Sequence, residues 1–273
     1  MIRARKRFGQ HFLEPAWVDK VIRAIDPRAD ETFLEIGPGR GALTRPLAAR
    51  TNAVVAYEID RDLAAGLRAA AIPNVTVIEG DFLEAARPEP RAPSPGGVRV
   101  AGNLPYNVAS PILFKLADLY AHGTAIADAT LMLQREVAGR LLSPPGTRDY
   151  GVLSVRMQHV AAVDLLLKLP AGAFRPPPKV LSSLVRLRFH HADPPVGDAA
   201  AFASLVQAVF TRRRKTLANA LLAHVDASCA ARALAAAAID GARRPETLSV
   251  AEFARLSDAL VAQGGLSHAV DTR

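Results

Sequence analysis

Thr32-Phe33-Leu34-Glu35-Ile36-Gly37-Pro38-Gly39-Arg40-Gly41-Ala42-Leu43-Thr44 is the stretch that decides the fold. A short apolar run stops at three glycines spaced G-x-G-x-G, and Ala42 to Arg50 then reads as helix. Glycine permits left-handed backbone and close approach of a ligand. A strand-to-helix turn also aims a helix N-terminus, with its unpaired N–H groups, at whatever sits there. The spacing is not the G-x-G-x-x-G of dinucleotide folds, which disfavours a nicotinamide dehydrogenase. Taken alone, such a turn ends many strands that bind nothing.

The neighbouring segments raise its value. Ala53 to Ile59, Val75 to Ile78, Val98 to Ala101 and Ala129 to Leu133 are short apolar runs of strand character. Between and around them, Pro15 to Ile25, Arg61 to Ala71, Ser110 to Tyr120 and Gln134 to Leu142 carry helical spacing. Alternation of this kind predicts an α/β fold with a parallel sheet covered on both faces. Ala85 to Gly97, with Pro88, Pro90, Pro93 and Pro95, is expected to be a surface loop. Val152 to Val160, Val163 to Leu169 and Leu181 to Phe189 read as strands. From Asp198 onward the pattern is helical: Ala199 to Phe210, Lys215 to His224, Ser228 to Ala238 and Val250 to Ala262. The proline-containing stretch His190 to Gly197 marks a boundary. The expected organisation is an α/β domain over 1–192, a helical domain over 193–263 and a frayed tail over 264–273.

The chain has 273 residues, a formal charge of +8 and a sequence pI near 10.1. Clustered cations gain affinity for polyanions by releasing counterions from phosphates. Arg3, Arg5, Lys6 and Arg7 form one cluster and Arg212, Arg213, Arg214 and Lys215 another, with Arg175 and Lys179 between them. The bland alternative for each is a solvated charge run. A single cysteine, Cys229, excludes an internal disulfide framework and points to a reducing compartment. No apolar run approaches a membrane span. The reading is a cytoplasmic monomer with no membrane partner and no metal.

Three acceptor groups follow successive strands. Glu58 ends the second strand about 20 residues beyond the first glycine, where an open α/β sheet places the group that holds a ribose. Asp81 follows the third strand, where a carboxylate can accept from an adenine amine. Asp60 is placed to cap the helix from Arg61. After the fourth strand comes Asn103-Leu104-Pro105-Tyr106-Asn107. The exocyclic nitrogen of adenine is a poor nucleophile because its lone pair is delocalised into the ring. If the Asn103 side-chain oxygen and the Leu104 carbonyl hold both its hydrogens, the nitrogen can pyramidalise and the lone pair localise. Pro105 fixes that loop, and Tyr106 offers a face for the base to stack on.

These motifs carry a resemblance. The chain resembles the KsgA/RsmA family of small-subunit (16S) ribosomal RNA adenine N6,N6-dimethyltransferases along nearly its whole length. The matching segments are Arg5-Lys6-Arg7-Phe8-Gly9-Gln10-His11-Phe12-Leu13, the run from Leu34 to Thr44, Glu58, Gly80-Asp81-Phe82-Leu83, Asn103 to Asn107, Phe174 to Val180, and Arg212 to Leu217. The resemblance implies a Rossmann-like class I S-adenosylmethionine-dependent methyltransferase sheet with a small C-terminal all-helical domain. It implies that Gln10, His11 and Leu13 close over S-adenosyl-L-methionine and that Gly37, Gly39 and Gly41 hold its methionine end. Glu58 would take the ribose and Asp81 the adenine amine, with Ile59 and Phe82 beside them. Asn103 would touch cofactor and target, and Phe174 would pack against the target base opposite Tyr106. His11 stands where many relatives carry Asn. The implied substrate is two adjacent adenosines in the 3′-terminal hairpin loop of 16S rRNA within an immature small ribosomal subunit. The basic residues at 3–7, Lys179 and 212–215 would hold the surrounding RNA. A large-subunit adenine methylase and an idle RNA-binding assembly factor are the rival readings.

Overall fold

The fold is described from a computed structural model, for residues 11–86 and 96–265. Thr32–Ile36 (β2) lies in a seven-stranded sheet, buried along its whole length. Its parallel neighbours are Ala53–Glu58 (β3) and Val98–Asn103 (β5). Val75–Glu79 (β4) adds to β3, and Ile126–Gln134 (β6) adds to β5, both parallel. Phe33, Val54, Val100 and Leu131 are fully buried, as expected for strands sandwiched between helices. The chain builds outward from β2 to β4, then returns to place β5 on the other side of β2. That reversal opens a crevice at the carboxyl ends of β2 and β5. At this point a side chain at Gly102 would stand 2.6 Å from the Ile36 carbonyl oxygen. Glycine there lets β5 reach the crevice edge against β2 and deliver Asn103.

The sheet is not wholly parallel, contrary to the sequence expectation. Ser182–Phe189 (β9) runs antiparallel to β6, and Ala161–Leu169 (β7) lies beyond it. Phe12–Leu13 (β1) pairs antiparallel with Phe174–Arg175 (β8) in a separate two-stranded sheet. Helix Pro15–Ile25 (α1) follows β1. Its end is held by two arginines from the sheet. Arg99 donates to the carbonyls of Ile25 and Asp26 at 2.8 and 3.0 Å, and Arg186 donates to those of Ala24 and Ile25 at 2.8 and 2.9 Å. Arg99 is itself paired with Asp128 and Glu31. Cations at a helix C-terminus satisfy carbonyls that have no partner inside the helix.

The chain divides into two compact units. The first comprises residues up to Ala138 with Ala162–Phe189, and includes helices Thr44–Ala48 (α2), Arg61–Ala69 (α3) and Ala109–Ala121 (α4). The second takes Gly139–Ala161 together with the chain from His190. A division at 192/193 therefore misses the segment 139–161, and the reason lies in its conformation. Val152–Gln158 (α6) is a helix, where a strand was expected over Val152 to Val160. Ser154 and Gln158, four residues apart, share one helix face. They donate to the carbonyls of Arg140, Leu141 and Ser143, at the end of Arg135–Leu142 (α5) and just beyond it. Among its described residues this unit has four more α-helices: Ala199–Thr211 (α7), Leu217–Leu221 (α8), Ala227–Ala236 (α9) and Val250–Ala262 (α10). Asp198, Thr216, Asp226 and Ser249 cap them, each side chain accepting from backbone N–H groups of the first turn. Phe202, Leu205, Val209, Leu221 and Phe253 make up much of their common core. Among the described residues, no helix is long and apolar enough to cross a membrane and no group of side chains is arranged to hold a metal ion. Most of the proline-rich loop (87–95) and the tail beyond 265 lie outside the described residues.

Candidate active site

The turn after β2 uses glycine where the backbone demands it. Gly37 and Gly39 have φ of +70° and +58°, a region that side-chain-bearing residues rarely adopt. Gly37 N–H donates to the Tyr57 carbonyl at 2.9 Å, and Gly39 N–H donates to Glu58 Oε2 at 2.9 Å. Phe12 lies over this turn, with the Arg40 guanidinium 4.2 Å from its ring centre. Gly41, φ +81°, serves packing instead, because a side chain there would come within 2.9 Å of Leu67. It does not line the cavity.

Two buried carboxyl groups stand behind the turn. Glu58 accepts from Asp60 N–H at 2.9 Å as well as from Gly39, and Asp60 in turn caps α3 through Asp62 and Leu63 N–H. Burial pushes the Glu58 pKa up, and those N–H donors hold it back. Glu35 is 1% exposed, and its Oε2 has no hydrogen-bond partner. Its pKa is pushed up to about 7 by burial, with the Thr44 hydroxyl holding it back and the Glu58 charge adding a smaller push. Asp81 accepts from Leu83 N–H at 2.9 Å. Phe82 is buried edge-on against Tyr57, and the Lys115 ammonium pins the same loop by donating to the Leu83 and Ala85 carbonyls, 2.6 Å each. Ile59 is 47% exposed at the rim.

The end of β5 supplies the opposite wall. Asn103 Nδ2 donates to the His11 carbonyl at 2.7 Å, which leaves Oδ1, an acceptor, as the other polar atom of that amide. The Tyr106 hydroxyl is 2.8 Å from Ser182 Oγ on β9, and burial raises its pKa. The His11 ring stacks on Tyr106 with centroids 5.5 Å apart and planes 26° from parallel. Its Nδ1 donates to the Pro176 carbonyl at 2.8 Å. Glu14 N–H donates to the Ala173 carbonyl, and Arg175 pairs with the Glu14 carboxylate at 2.9 Å. These bonds fasten β1 and β8 together beside the crevice.

The result is one cleft with about 1210 Å³ of free space, part of it open solvent. It gathers twelve of the residues expected from sequence: His11, Leu13, Gly37, Gly39, Glu58, Ile59, Asp81, Phe82, Asn103, Leu104, Pro105 and Tyr106. Phe174 is not brought there. It is 1% exposed in the core with Leu13, Ala173 and Leu184, because its pairing with Leu13 turns it inward. Gln10, Arg3, Arg5, Lys6 and Arg7 lie outside the described residues. Lys179 is exposed. In the second unit Arg212, Arg214 and Lys215 are exposed on the turn before α8, whereas Arg213 donates to the Thr147 carbonyl at 3.1 Å and faces Glu246. Sequence reasoning passed over Glu35, although it adjoins the glycine turn, and Ser182 and Lys115, which no local pattern marks.

A model of the ribosomal RNA adenine dimethylase family matches residues 1–261. The chain belongs to that family. The small-subunit ribosomal RNA methyltransferase A of Chromohalobacter salexigens is 47% identical to this dimethylase over 262 residues, covering 93% of this chain and 90% of its own. Its counterpart from Anaeromyxobacter dehalogenans is 46% identical over 270 residues, covering 95% and 94%. Among solved structures, a dimethyladenosine transferase from Plasmodium falciparum superimposes with a TM-score of 0.79 at 25% identity, over 93% of this chain and 98% of that one. The 23S rRNA methyltransferase ErmE gives 0.63 at 30% identity, over 92% and 99%. This dimethylase is an S-adenosylmethionine-dependent enzyme acting on ribosomal RNA adenine. The residues present fit such a cofactor. Two buried carboxyls in the cavity wall, one with an unpaired oxygen, suit a ligand that brings hydroxyls and positive charge.

Proposed function

We propose that this dimethylase converts two adjacent adenosines in the 3′-terminal hairpin loop of 16S rRNA to N6,N6-dimethyladenosine. It would act as a cytoplasmic monomer on an immature small subunit. The observation that carries the chemistry is the Asn103 amide, whose N–H side is committed to His11 while Oδ1 is left to accept. Relatives named for the small subunit, at 47% and 46% identity over nearly the whole chain, support the choice of subunit.

S-adenosylmethionine, when bound, supplies a methyl group on a cationic sulfur. Glu58 would accept from the ribose hydroxyls of the cofactor and Asp81 from its adenine amine. Gly37 and Gly39 would shape the turn at its methionine end, and His11 and Leu13 would cover it. Ile59 and Phe82 would line the cavity beside these groups. Asn103 Oδ1 and the Leu104 carbonyl accept the two hydrogens of the target amine and so localise its lone pair. Pro105 holds the loop, and the Tyr106 face carries the base. The nitrogen is strongly acidic once alkylated and sheds its proton without a dedicated base. Rate comes from positioning and from acceptors fixed in place beforehand. A loop adenosine reaches the cleft at little stacking cost, since it need not leave a duplex. Arg212, Arg214, Lys215 and Lys179 hold the flanking phosphates, an electrostatic task that needs exposed cations.

The test is transfer of labelled methyl to small subunits lacking the modification, with large-subunit RNA in parallel and the labelled nucleoside identified. Dimethyladenosine in the 3′-terminal hairpin is expected. Label confined to large-subunit RNA would overturn the proposal in favour of the chemistry named for ErmE.

A further inference from the structure

His11, immediately before β1, makes three contacts around the cleft. Its carbonyl takes the Asn103 N–H, its Nδ1 holds Pro176, and its ring lies on Tyr106. Tyr106 is thereby fixed twice, because Ser182 Oγ holds the phenol tip. Ser182 is 2% exposed on β9, so that anchor belongs to the sheet. An aromatic ring has two faces, and on Tyr106 the histidine occupies one of them.

We propose that His11 is a positioning residue for the methyl transfer: its ring covers one face of Tyr106, so that the target adenine stacks only on the other. The inference rests on the reading of Tyr106 as the platform for the base. A base on the wrong face would present its amine away from the Asn103 and Leu104 acceptors, and the two arrangements would compete. The histidine removes the competing one. It also stiffens the ring, since a phenol held at tip and face keeps one tilt. Truncation removes the offset stacking between planar rings, whose usual strength corresponds to roughly a 3- to 10-fold effect.

The experiment compares the wild type with His11→Ala, His11→Phe and His11→Asn in methyl transfer to unmodified small subunits at saturating S-adenosylmethionine. Cofactor affinity is measured separately by calorimetry. Phe restores a ring without the bond to Pro176, and Asn restores a polar partner without a ring. The expected result is a kcat lowered about 3- to 10-fold in His11→Ala and His11→Asn. His11→Phe should recover most of the loss, and working at saturating S-adenosylmethionine keeps any change in cofactor affinity out of kcat. Recovery by Asn and not by Phe would overturn the proposal and assign the histidine to tethering Pro176. An unchanged kcat in His11→Ala, or a loss confined to cofactor affinity, would overturn it as well. A measurement without RNA separates this inference from the functional reading: the Tyr106 ring protons, assigned through Tyr106→Phe, should shift when the His11 ring is removed. A wild-type enzyme that labels no ribosomal RNA would sink the substrate assignment. Unmoved Tyr106 resonances would sink the stacking.

Discussion

Replacing Glu35 with Gln exchanges a buried carboxyl for an amide of the same shape. In the folded chain burial and the Glu58 charge lift the Glu35 pKa from its ordinary 4.5 to about 7. The folded state therefore keeps a proton on Glu35 at pH values where the unfolded chain has released it. Stability must fall as pH rises from the unfolded pKa through the folded one. A rise from 4.5 to about 7, at about 1.4 kcal/mol per unit, amounts to ~3 kcal/mol in all. Roughly 2.5 kcal/mol of this falls between about pH 5 and pH 8. Glu58, also raised by burial, adds to the slope in the same sense in both proteins. Trp17, the single tryptophan, sits on α1 in the same unit and reports its unfolding in urea. The expected outcome is a wild-type stability that declines relative to Glu35→Gln by about 2–3 kcal/mol over that window, with equal m-values. Any fixed cost of burying the amide shifts the variant's curve uniformly and leaves the difference in slope intact. Parallel pH profiles for the two proteins would show that Glu35 is ionised in the fold and would refute the raised pKa.

Asn103→Ala removes the acceptor that polarises the amine and should lower kcat by at least ~100-fold, the size typical of losing one fixed polar group at a developing charge. Calorimetry should find most cofactor binding retained, and normal turnover would refute the assigned role. Charge removal at Arg212, Arg214 and Lys215 by Gln should weaken RNA binding and flatten its dependence on salt. The slope of log K against log salt should shrink by ~1 for each phosphate that is no longer neutralised. Arg213→Gln alone should leave that slope in place and lower thermal stability instead, since its guanidinium is bonded to the Thr147 carbonyl and faces Glu246.

How much of this was legible in one dimension depends on the range over which each feature is encoded. The glycine turn is contiguous, and its positive φ angles are a property of the residues themselves. Glu58, Asp81 and Asn103 could be assigned to one edge because each follows a strand of a parallel set, and such strands all end on the same side. Asp60 was readable as a cap because capping is settled within three residues. The strand expected over Val152 to Val160 is instead a helix at 152–158, whose side-chain partners are carbonyls at 140, 141 and 143. Phe174 misled because its motif says nothing of the direction in which it points, which the pairing of β8 with β1 decides. Residue chemistry and local periodicity thus determined the α/β fold, the order of the strand-end acceptors and the class of ligand. Tertiary structure alone decided the bonds across 165 residues between His11 and Pro176 and across 76 between Tyr106 and Ser182. Such bonds arise from the packing of whole elements, and short-range spacing carries no record of which distant side chain will fill the space beside a ring.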